Sequence, residues 1–333
     1  MCLLDIEKAF DKVWTDGLLY KLIKLNYPVD LIILLNSYLR NRKFQVKINN
    51  VFSTLKNINA GVPQGSILAP LLFIIYLQDL PTFAKTETAL FADDTAIYAH
   101  SHSAEIAGRQ IQLHLNILEK YWNKWQIKIN CDKTEILTIT RKFTNIKIYT
   151  PIRIHNKIIQ IKDTAKYLGI YLDTRLNLHN HINTLIQKLH YSLKQNYSLL
   201  SKSSTLTSKT KKHIYTTLIR PIITYSAPIL SHLSHTTLKP LQIFQNKILR
   251  LVTGHDRYTR ITTLHELTNI PYIIDYIKHI ANKFYTKLNY NTDSDIIKNI
   301  SKFRADNIDF KIKHKFTYQL LDIFNVPLEE EDE

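Results

Sequence analysis

Apolar residues follow two different patterns along the chain. In the first half, residues 2–6, 89–92 and 95–99 are short apolar runs that predict buried strands. Helical spacing appears between these runs, and one long stripe comprises Ile111, Leu115, Leu118, Trp122 and Trp125. The first part of the chain is therefore predicted to be an α+β unit.

Beyond residue 176 the pattern is almost entirely helical. Two stripes predict packed helices, namely Ile182, Leu185, Ile186 and Leu189, then Leu241, Phe244, Ile248 and Leu251. A Ser/Thr/Lys-rich stretch, residues 201–212, predicts an exposed connection. The predicted organisation is an α+β unit over residues 1–175, a basic helical region over 176–275, and a C-terminal helical segment with an acidic tail over 276–333.

Charge is also unevenly distributed. The 333 residues include 44 Lys and Arg against 28 Asp and Glu, which gives a net charge of +16. Residues 176–260 alone hold 12 basic residues and one acid, Asp256, so this segment is predicted to face a polyanion such as nucleic acid. A solvated helical surface with a chance excess of lysine is the competing interpretation.

Composition excludes several classes of protein. Two cysteines, Cys2 and Cys131, cannot supply a disulfide framework or a cysteine-rich zinc site. The longest apolar stretch, residues 67–77, contains Pro70 and is well short of the roughly 20 residues that cross a membrane. An acid as early as Asp5 does not fit a signal peptide. We therefore expect an intracellular protein, cytoplasmic or nuclear, without a membrane partner.

Three acids stand beside the predicted strands. Asp93 and Asp94 separate two strand-like runs and predict a hairpin with both acids at its tip, although a plain turn has the same pattern. Asp5 ends a buried strand, where an unpaired carboxylate is costly. If the fold brings Asp5 to this hairpin, the three carboxylates form an oxygen-rich site for Mg²⁺, with Mn²⁺ as a substitute. Two such ions would serve phosphoryl or nucleotidyl transfer.

A turn bracketed by glycines is the other unusual feature. Only six glycines occur in the chain, and two of them, Gly61 and Gly65, enclose Val-Pro-Gln. Such a turn lets the backbone approach a ligand closely and directs Gln64 outward. Taken alone, the same turn is equally compatible with an ordinary loop.

Together these segments resemble the motifs of reverse transcriptases. Motifs A to E of that family correspond, in order and spacing, to Asp5 with Phe10, residues 61–66, 91–94, 125–135 and 167–173. Residues 219–228 and 241–250 resemble the thumb of jockey-type non-LTR retrotransposon polymerases. The resemblance covers roughly residues 1–275.

The resemblance implies a fold and a reaction. The fold would be a reverse-transcriptase palm over residues 1–175, followed by a mostly helical thumb. The reaction would be RNA-directed DNA synthesis for a non-LTR retrotransposon, by two-metal transfer of a nucleotide to the primer 3′-hydroxyl. Its partners would be an RNA template, a DNA primer and deoxynucleoside triphosphates. The competing hypothesis is a catalytically inactive, nucleic-acid-binding remnant of such an element.

The resemblance also assigns roles to individual residues. Asp5, Asp93 and Asp94 would hold the metal ions. Phe10 would exclude the 2′-hydroxyl of a ribonucleotide, or else be a core residue. Lys133 would protonate the pyrophosphate leaving group, or else be a surface lysine.

Further roles concern the nucleotide, the primer and the duplex. Gln64 and Gly65 would contact the incoming nucleotide. The primer terminus would be positioned by Tyr167, Leu168 and Gly169. Phosphates of the duplex would be bound by Lys209, Lys211, Lys212, Lys247 and Arg250.

One departure from the family pattern is visible at the start of the sequence. Four residues precede Asp5, whereas family members place their finger motifs upstream of motif A. We therefore expect the fingers to be largely missing. Such a chain would bind primer–template but extend it poorly, because nothing visible clamps the triphosphate.

Overall fold

The computed structural model of the protein describes residues 1–140 and 150–290, and the chain divides into two units, Met1–Leu176 and Asn177–Glu333. The expected mixture of helices and strands is confirmed, with sheets in the first unit and helices in the described part of the second. Among the described residues, no helix is long and apolar enough to cross a membrane. The predicted acidic tail lies outside the described residues.

The first unit combines helices with short strands. Its helices are α1 (Thr15–Lys24), α2 (Val29–Leu39), α3 (Leu68–Leu77) and α4 (Ala104–Lys124). Its strands are β1 (Cys2–Leu4), β2 (Arg42–Phe44), β3 (Lys47–Ile48), β4 (Val51–Phe52), β5 (Lys56–Ile58), β6 (Glu87–Phe91), β7 (Asp94–Tyr98), β8 (Glu135–Leu137), β9 (Arg153–Ile154), β10 (Lys157–Ile158), β11 (Gln160–Lys162), β12 (Thr164–Tyr167) and β13 (Ile170–Asp173).

A five-stranded sheet forms the centre of this unit. Its strand order is β11-β8-β1-β7-β6, and all neighbours are antiparallel except the parallel pair β8 and β11. Alternation along β1 sends Cys2 and Leu4 into the core formed with α1, α3 and α4. Leu3 points to the opposite face, where it packs with Ala96 and with Ala165 of β12. The sheet is therefore covered on both faces.

Both kinds of predicted element are confirmed here. The apolar runs at residues 2–6, 89–92 and 95–99 contain β1, β6 and β7, although regular pairing of the first ends at Leu4. The apolar stripe that ends at Trp125 lies along α4 and is buried. Burial of these side chains supplies the hydrophobic free energy that holds helix and sheet together.

A lysine is buried within the helical layer. The Lys21 side chain of α1 is 3% exposed, and its ammonium donates to the Tyr76 carbonyl, the Asp79 carboxylate and the Tyr121 hydroxyl. The ammonium also lies 3.9 Å from the centre of the Trp125 ring. Burial lowers the pKa of Lys21, an effect that Asp79 opposes. These contacts tie α1 to α3 and α4.

Helices form the described part of the second unit. They are α5 (His179–Gln195), α6 (Tyr197–Leu200), α7 (Ser208–Ile214), a π-helical turn (Tyr215–Ile219), α8 (Arg220–Thr224), α9 (Ala227–Leu230), α10 (His235–Thr253), α11 (Ile261–Thr268) and α12 (Ile273–Tyr290). The predicted stripes lie on α5 and α10, which supply Leu189 and Ile248 to one core. Two expectations differ from this arrangement. The expected boundary at residue 276 falls inside α12, and the supposedly exposed stretch 201–212 buries Lys211 within α7.

Candidate active site

Strand register brings Asp5 and Asp94 to the same end of the central sheet. β1 pairs with β7 so that Leu4 lies opposite Thr95. Asp5 and Asp94 are the next residues along these two neighbouring strands, where opposite residues lie close together. The predicted meeting of distant acids therefore follows directly from the pairing of two hydrophobic strands.

Asp93 joins them through the hairpin between β6 and β7. Phe91 pairs with Asp94, so Ala92 and Asp93 form a two-residue turn. Ala92 takes a left-handed conformation, with φ of +53°, which lets so short a turn close. The tip of the hairpin is thus shifted by one residue from the prediction, because Asp94 already belongs to the returning strand.

The acids repel one another. The side chains of Asp93 and Asp94 are exposed and that of Asp5 is half-buried. Partial burial of Asp94, followed by the charges of Asp93 and Asp5, raises the pKa of Asp94, while Lys166 acts in the opposite direction. None of the three carboxylates forms an ion pair within the described ranges. The site therefore carries excess negative charge that a bound cation would neutralise.

The carboxylates are not preassembled as a metal cage. Within residues 1–140 and 150–290, no group of three or more His, Cys, Asp or Glu side chains is placed so that it could hold a metal ion. The donor chemistry suits a hard divalent cation, since three carboxylates supply oxygen ligands. The exposed side chains would have to rotate toward one another to hold one.

The turn at residues 61–65 packs against the segment that follows β1. The Gly61 N–H donates to the Val13 carbonyl and the Val62 N–H to the Phe10 carbonyl, each at 2.8 Å. Gly61 has φ of +87°, and a Cβ there would lie 2.5 Å from the Asp11 carbonyl oxygen. Glycine is therefore required where this turn meets the segment carrying Phe10.

Gln64 and Gly65 occupy the exposed side of the same turn. Gln64 Nε2 donates to Asp11 Oδ1 at 2.9 Å, so the amide is oriented by a carboxylate that the sequence did not single out. Gly65 has φ of +86°, and a Cβ there would meet nothing within 4 Å. The backbone at Gly65 is therefore open to a ligand.

Phe10 has both core and surface character. Its ring centroid lies 4.9 Å from that of Phe73, at an interplanar angle of 36°. The side chain packs against the main core but remains half-buried. Phe73 thus fixes one side of the ring and leaves the other accessible.

Lys133 lies in a turn that bonds to the backbone of Asp5. The Asn130 N–H donates to the Asp5 carbonyl at 2.8 Å, and the Asp5 N–H donates to Thr134 Oγ1 at 3.4 Å. Lys133 is between these two partners in the sequence and is exposed. Its flexible side chain therefore starts close to the acids.

The hairpin of β12 and β13 lies beside Asp94. Tyr167 ends β12, and Leu168 and Gly169 make the turn with φ of +45° and +80°. Burial, and secondarily the charge of Asp94, raises the pKa of Tyr167. Lys166, on the same strand, acts on Asp94 as described above. Lys166 was not among the residues predicted from the sequence, although its position directly before Tyr167 was a usable signal.

The basic residues expected to bind a duplex differ in accessibility. Lys209 and Lys247 are exposed, whereas Lys212 and Arg250 are half-buried. Lys211 is 5% exposed, and its ammonium donates to the Ser201 carbonyl at 2.7 Å. A phosphate contact from Lys211 would break this internal bond, so Lys211 is less suited to that role than the exposed lysines.

Comparisons with known proteins place this geometry in context. A family model for reverse transcriptase (RNA-dependent DNA polymerase) matches residues 1–172, just over half of the chain. In Drosophila melanogaster, the probable RNA-directed DNA polymerase from transposon BS is 33% identical over 293 residues, 86% of this chain. The RNA-directed DNA polymerase from mobile element jockey is 31% identical over 300 residues, 87% of this chain. The chain spans 32% of the length of each relative.

A solved structure of telomerase from Candida albicans, in complex with a fragment of telomeric RNA, overlaps with 83% of this chain and 49% of its own. The TM-score is 0.43 and the sequence identity 13%, a similarity too low to define the fold.

Proposed function

Because the chain belongs to the reverse transcriptase family, we propose that it carries the polymerase site of a non-LTR retrotransposon and directs DNA synthesis on an RNA template. Relatives named for mobile elements support the substrate class. The observation that supports the chemistry is the pairing of β1 with β7, since Asp5 directly follows β1 and Asp94 begins β7, with Asp93 in the adjoining turn. In this proposal the first unit acts as the palm and the second as the thumb.

Asp5, Asp93 and Asp94 would hold divalent ions, with Mg²⁺ as the natural choice and Mn²⁺ as a substitute. Carboxylate oxygens are the ligands these ions prefer, and a cation would relieve the repulsion that raises the pKa of Asp94. When bound, a pair of ions supplies activation of the primer 3′-hydroxyl and stabilisation of the leaving oxygen. The chain's own part is to present the carboxylates at adjoining strand ends.

The incoming nucleotide would meet Phe10 and the turn at residues 61–65. Gly65 offers accessible backbone, and Asp11 holds Nε2 of Gln64, whose Oε1 accepts no hydrogen bond from the described residues. The Phe10 ring, supported from behind by Phe73, would block a 2′-hydroxyl. Lys133 would protonate the leaving pyrophosphate from its exposed turn.

The primer and the duplex would be held by different parts of the chain. Tyr167, Leu168 and Gly169 form the turn beside Asp94 and would position the primer end. In the second unit, phosphates would be bound by Lys209, Lys212, Lys247 and Arg250. Such contacts do not depend on sequence and weaken as salt concentration rises.

Primer extension tests the proposal. The chain should extend a DNA primer on an RNA template slowly but measurably, and only when Mg²⁺ or Mn²⁺ is present. Asp93→Asn should lower the rate by about 1000-fold, because several kcal/mol of metal-dependent stabilisation is lost.

The matched control is Asp30→Asn, which removes an exposed carboxylate of α2 that makes no ion pair within the described residues. It should extend the primer at the wild-type rate. Extension that survives Asp93→Asn would contradict the proposed site. Tight primer–template binding without metal-dependent extension by the wild type would favour the inactive, nucleic-acid-binding alternative.

A further inference from the structure

Residues 42–58 form a two-stranded arm on the first unit. β2 pairs with β5 and β3 pairs with β4, and the arm closes through Asn49 and Asn50, with φ of +44° and +66°. Each of its two antiparallel segments has about eight residues, which corresponds to roughly 25 Å of extended chain. Every residue from 43 to 57 is exposed. The arm therefore offers its whole surface to a partner.

The arm exposes many apolar side chains for a segment of its size. Phe44 is 48% exposed, Phe52 56% and Val51 72%. The remaining large apolar side chains of the arm, all exposed, are Val46, Ile48 and Leu55. Six exposed large apolar side chains in so short a segment are more than a solvated hairpin needs, which points to an interaction site.

The charge on the arm is of one sign. Residues 43–57 include Lys43, Lys47 and Lys56 and no acidic residue. These lysines form no ion pair within the described part of the chain. A partner that complements this surface must therefore be anionic as well as able to contact apolar groups.

Each phenylalanine of the arm stands directly opposite a lysine. Phe44 pairs with Lys56 across β2 and β5, and Phe52 pairs with Lys47 across β3 and β4. The Lys47 ammonium lies 5.2 Å from the Phe52 ring centre. An aromatic ring beside a cation is the combination that binds single-stranded nucleic acid, since bases stack on the ring and phosphates pair with the charge.

The base of the arm is bonded to the candidate active site. Arg42 donates from one guanidinium nitrogen to the carbonyls of Ala60 and Gly61, at the start of the turn at residues 61–65. The arm is therefore anchored beside the turn at residues 61–65.

We propose that this arm binds a single-stranded stretch of nucleic acid through Phe44, Phe52 and the three lysines. The proposal rests on the proposed function only for identifying that strand as the template. Stacking on the two rings holds the bases, and the lysines hold the phosphates. A second copy of the chain, packed arm to arm, would bring lysines of like charge together.

Fluorescence anisotropy with a labelled, unstructured 20-nucleotide RNA tests the arm in the full chain, without nucleotide or divalent metal. Phe44→Ala with Phe52→Ala should weaken RNA binding by at least about fivefold for each ring that stacks a base. Replacing the three lysines by glutamine should lower the slope of log affinity against log salt by about 0.7 per contact. Affinity for a blunt RNA–DNA duplex should stay the same in every arm variant.

Two matched controls separate stacking from other effects. Phe44→Tyr with Phe52→Tyr keeps both rings and should retain RNA affinity. Ile48→Ala with Val51→Ala removes comparable apolar surface and should also retain it. The proposal would be overturned if Phe44→Ala with Phe52→Ala left RNA affinity unchanged, or if Ile48→Ala with Val51→Ala lowered it equally. It would also be overturned if the phenylalanine substitutions changed the sedimentation coefficient of the chain but not its RNA affinity, because the arm would then be an interface between copies. Failure of primer extension would leave this binding test unaffected.

Discussion

The first unit contains two clusters of charged side chains, and they differ in whether each charge has a partner of opposite sign. Around Lys21, a buried ammonium is matched by the Asp79 carboxylate, by the Tyr121 hydroxyl and by aromatic rings. At the end of the central sheet, Asp5, Asp93 and Asp94 repel one another without an ion pair in the described ranges. The first cluster has all its partners within the fold, whereas the second leaves charge for a ligand to neutralise.

The two clusters also differ in the direction of their pKa changes. Partial burial acts to raise the pKa of Asp79, but hydrogen bonds from Lys21 and Tyr121 and the Lys21 charge bring it below its ordinary value. Burial lowers the pKa of Lys21, and this effect outweighs the pairing because the ammonium is far more buried than its partner. At Asp94 burial and charge both raise the pKa. Pairing therefore offsets part of the cost of burying the Lys21 ammonium, whereas the repulsion at Asp94 has no such compensation from an ion pair in the described residues.

The largest stability effect is expected from Asp79→Asn. Loss of this carboxylate leaves the buried Lys21 ammonium with only neutral partners, which should lower the free energy of unfolding by about 2 kcal/mol. A thermal melt should show a decrease of roughly 4–8 °C. Asp16→Asn, which removes the exposed partner of Arg40, is the control and should change the free energy by less than about 0.5 kcal/mol. Equal effects of the two substitutions would mean that burial of Lys21 carries no special cost.

A smaller change of opposite sign is expected from Asp94→Asn. Removing one of three repelling carboxylates should raise the metal-free stability by about 0.3 kcal/mol, a small amount because solvent screens the exposed side chain. Differential scanning calorimetry of Asp94→Asn against the wild type measures this change. A clear loss of stability would show that the Asp94 carboxylate has a structural partner, as Asp79 has.

The pH dependence gives the smallest and most specific effect. The folded pKa of Asp94 is raised above its ordinary value of 3.8, so the folded state binds the proton more tightly than the unfolded chain. Its contribution to stability is therefore present below pH 3.8 and is lost as pH rises through the folded pKa. Added Mg²⁺ should restore that stability only above this range, where the carboxylate is ionised. Thermal melts with and without Mg²⁺ should show stabilisation by Mg²⁺ above this pH range in the wild type and a smaller effect in Asp94→Asn. An equal Mg²⁺ effect in both proteins would contradict a role of the Asp94 carboxylate in binding the ion.

Local patterns predicted the family, the main strands and the helical stripes. The family assignment from the motifs is confirmed, as are the strands that carry Asp5 and Asp94. These features depend on hydrophobic alternation and short-range turn chemistry, which a sequence displays directly.

The remaining features depend on contacts between distant residues. Lys211 occurs in a basic, polar stretch, and only the folded turn shows that its ammonium is used by the Ser201 carbonyl. The Lys21 cluster likewise combines α1, α3 and α4, and no local pattern distinguishes Lys21 from an exposed helical lysine. The orientation of Gln64 by Asp11 needs the close packing at Gly61. These partners are distant in sequence, so local patterns of residues cannot predict them.

Binding of Mn²⁺ reports on the three acids without the need for substrate or catalysis. Titration of the metal-free chain with Mn²⁺, followed by the relaxation rate of water protons, reports ions held by carboxylates. We expect saturable binding that Asp94→Asn weakens by at least about tenfold and that Asp30→Asn leaves unchanged. Equal Mn²⁺ affinity in wild type and Asp94→Asn would contradict the assignment of these acids as the metal site.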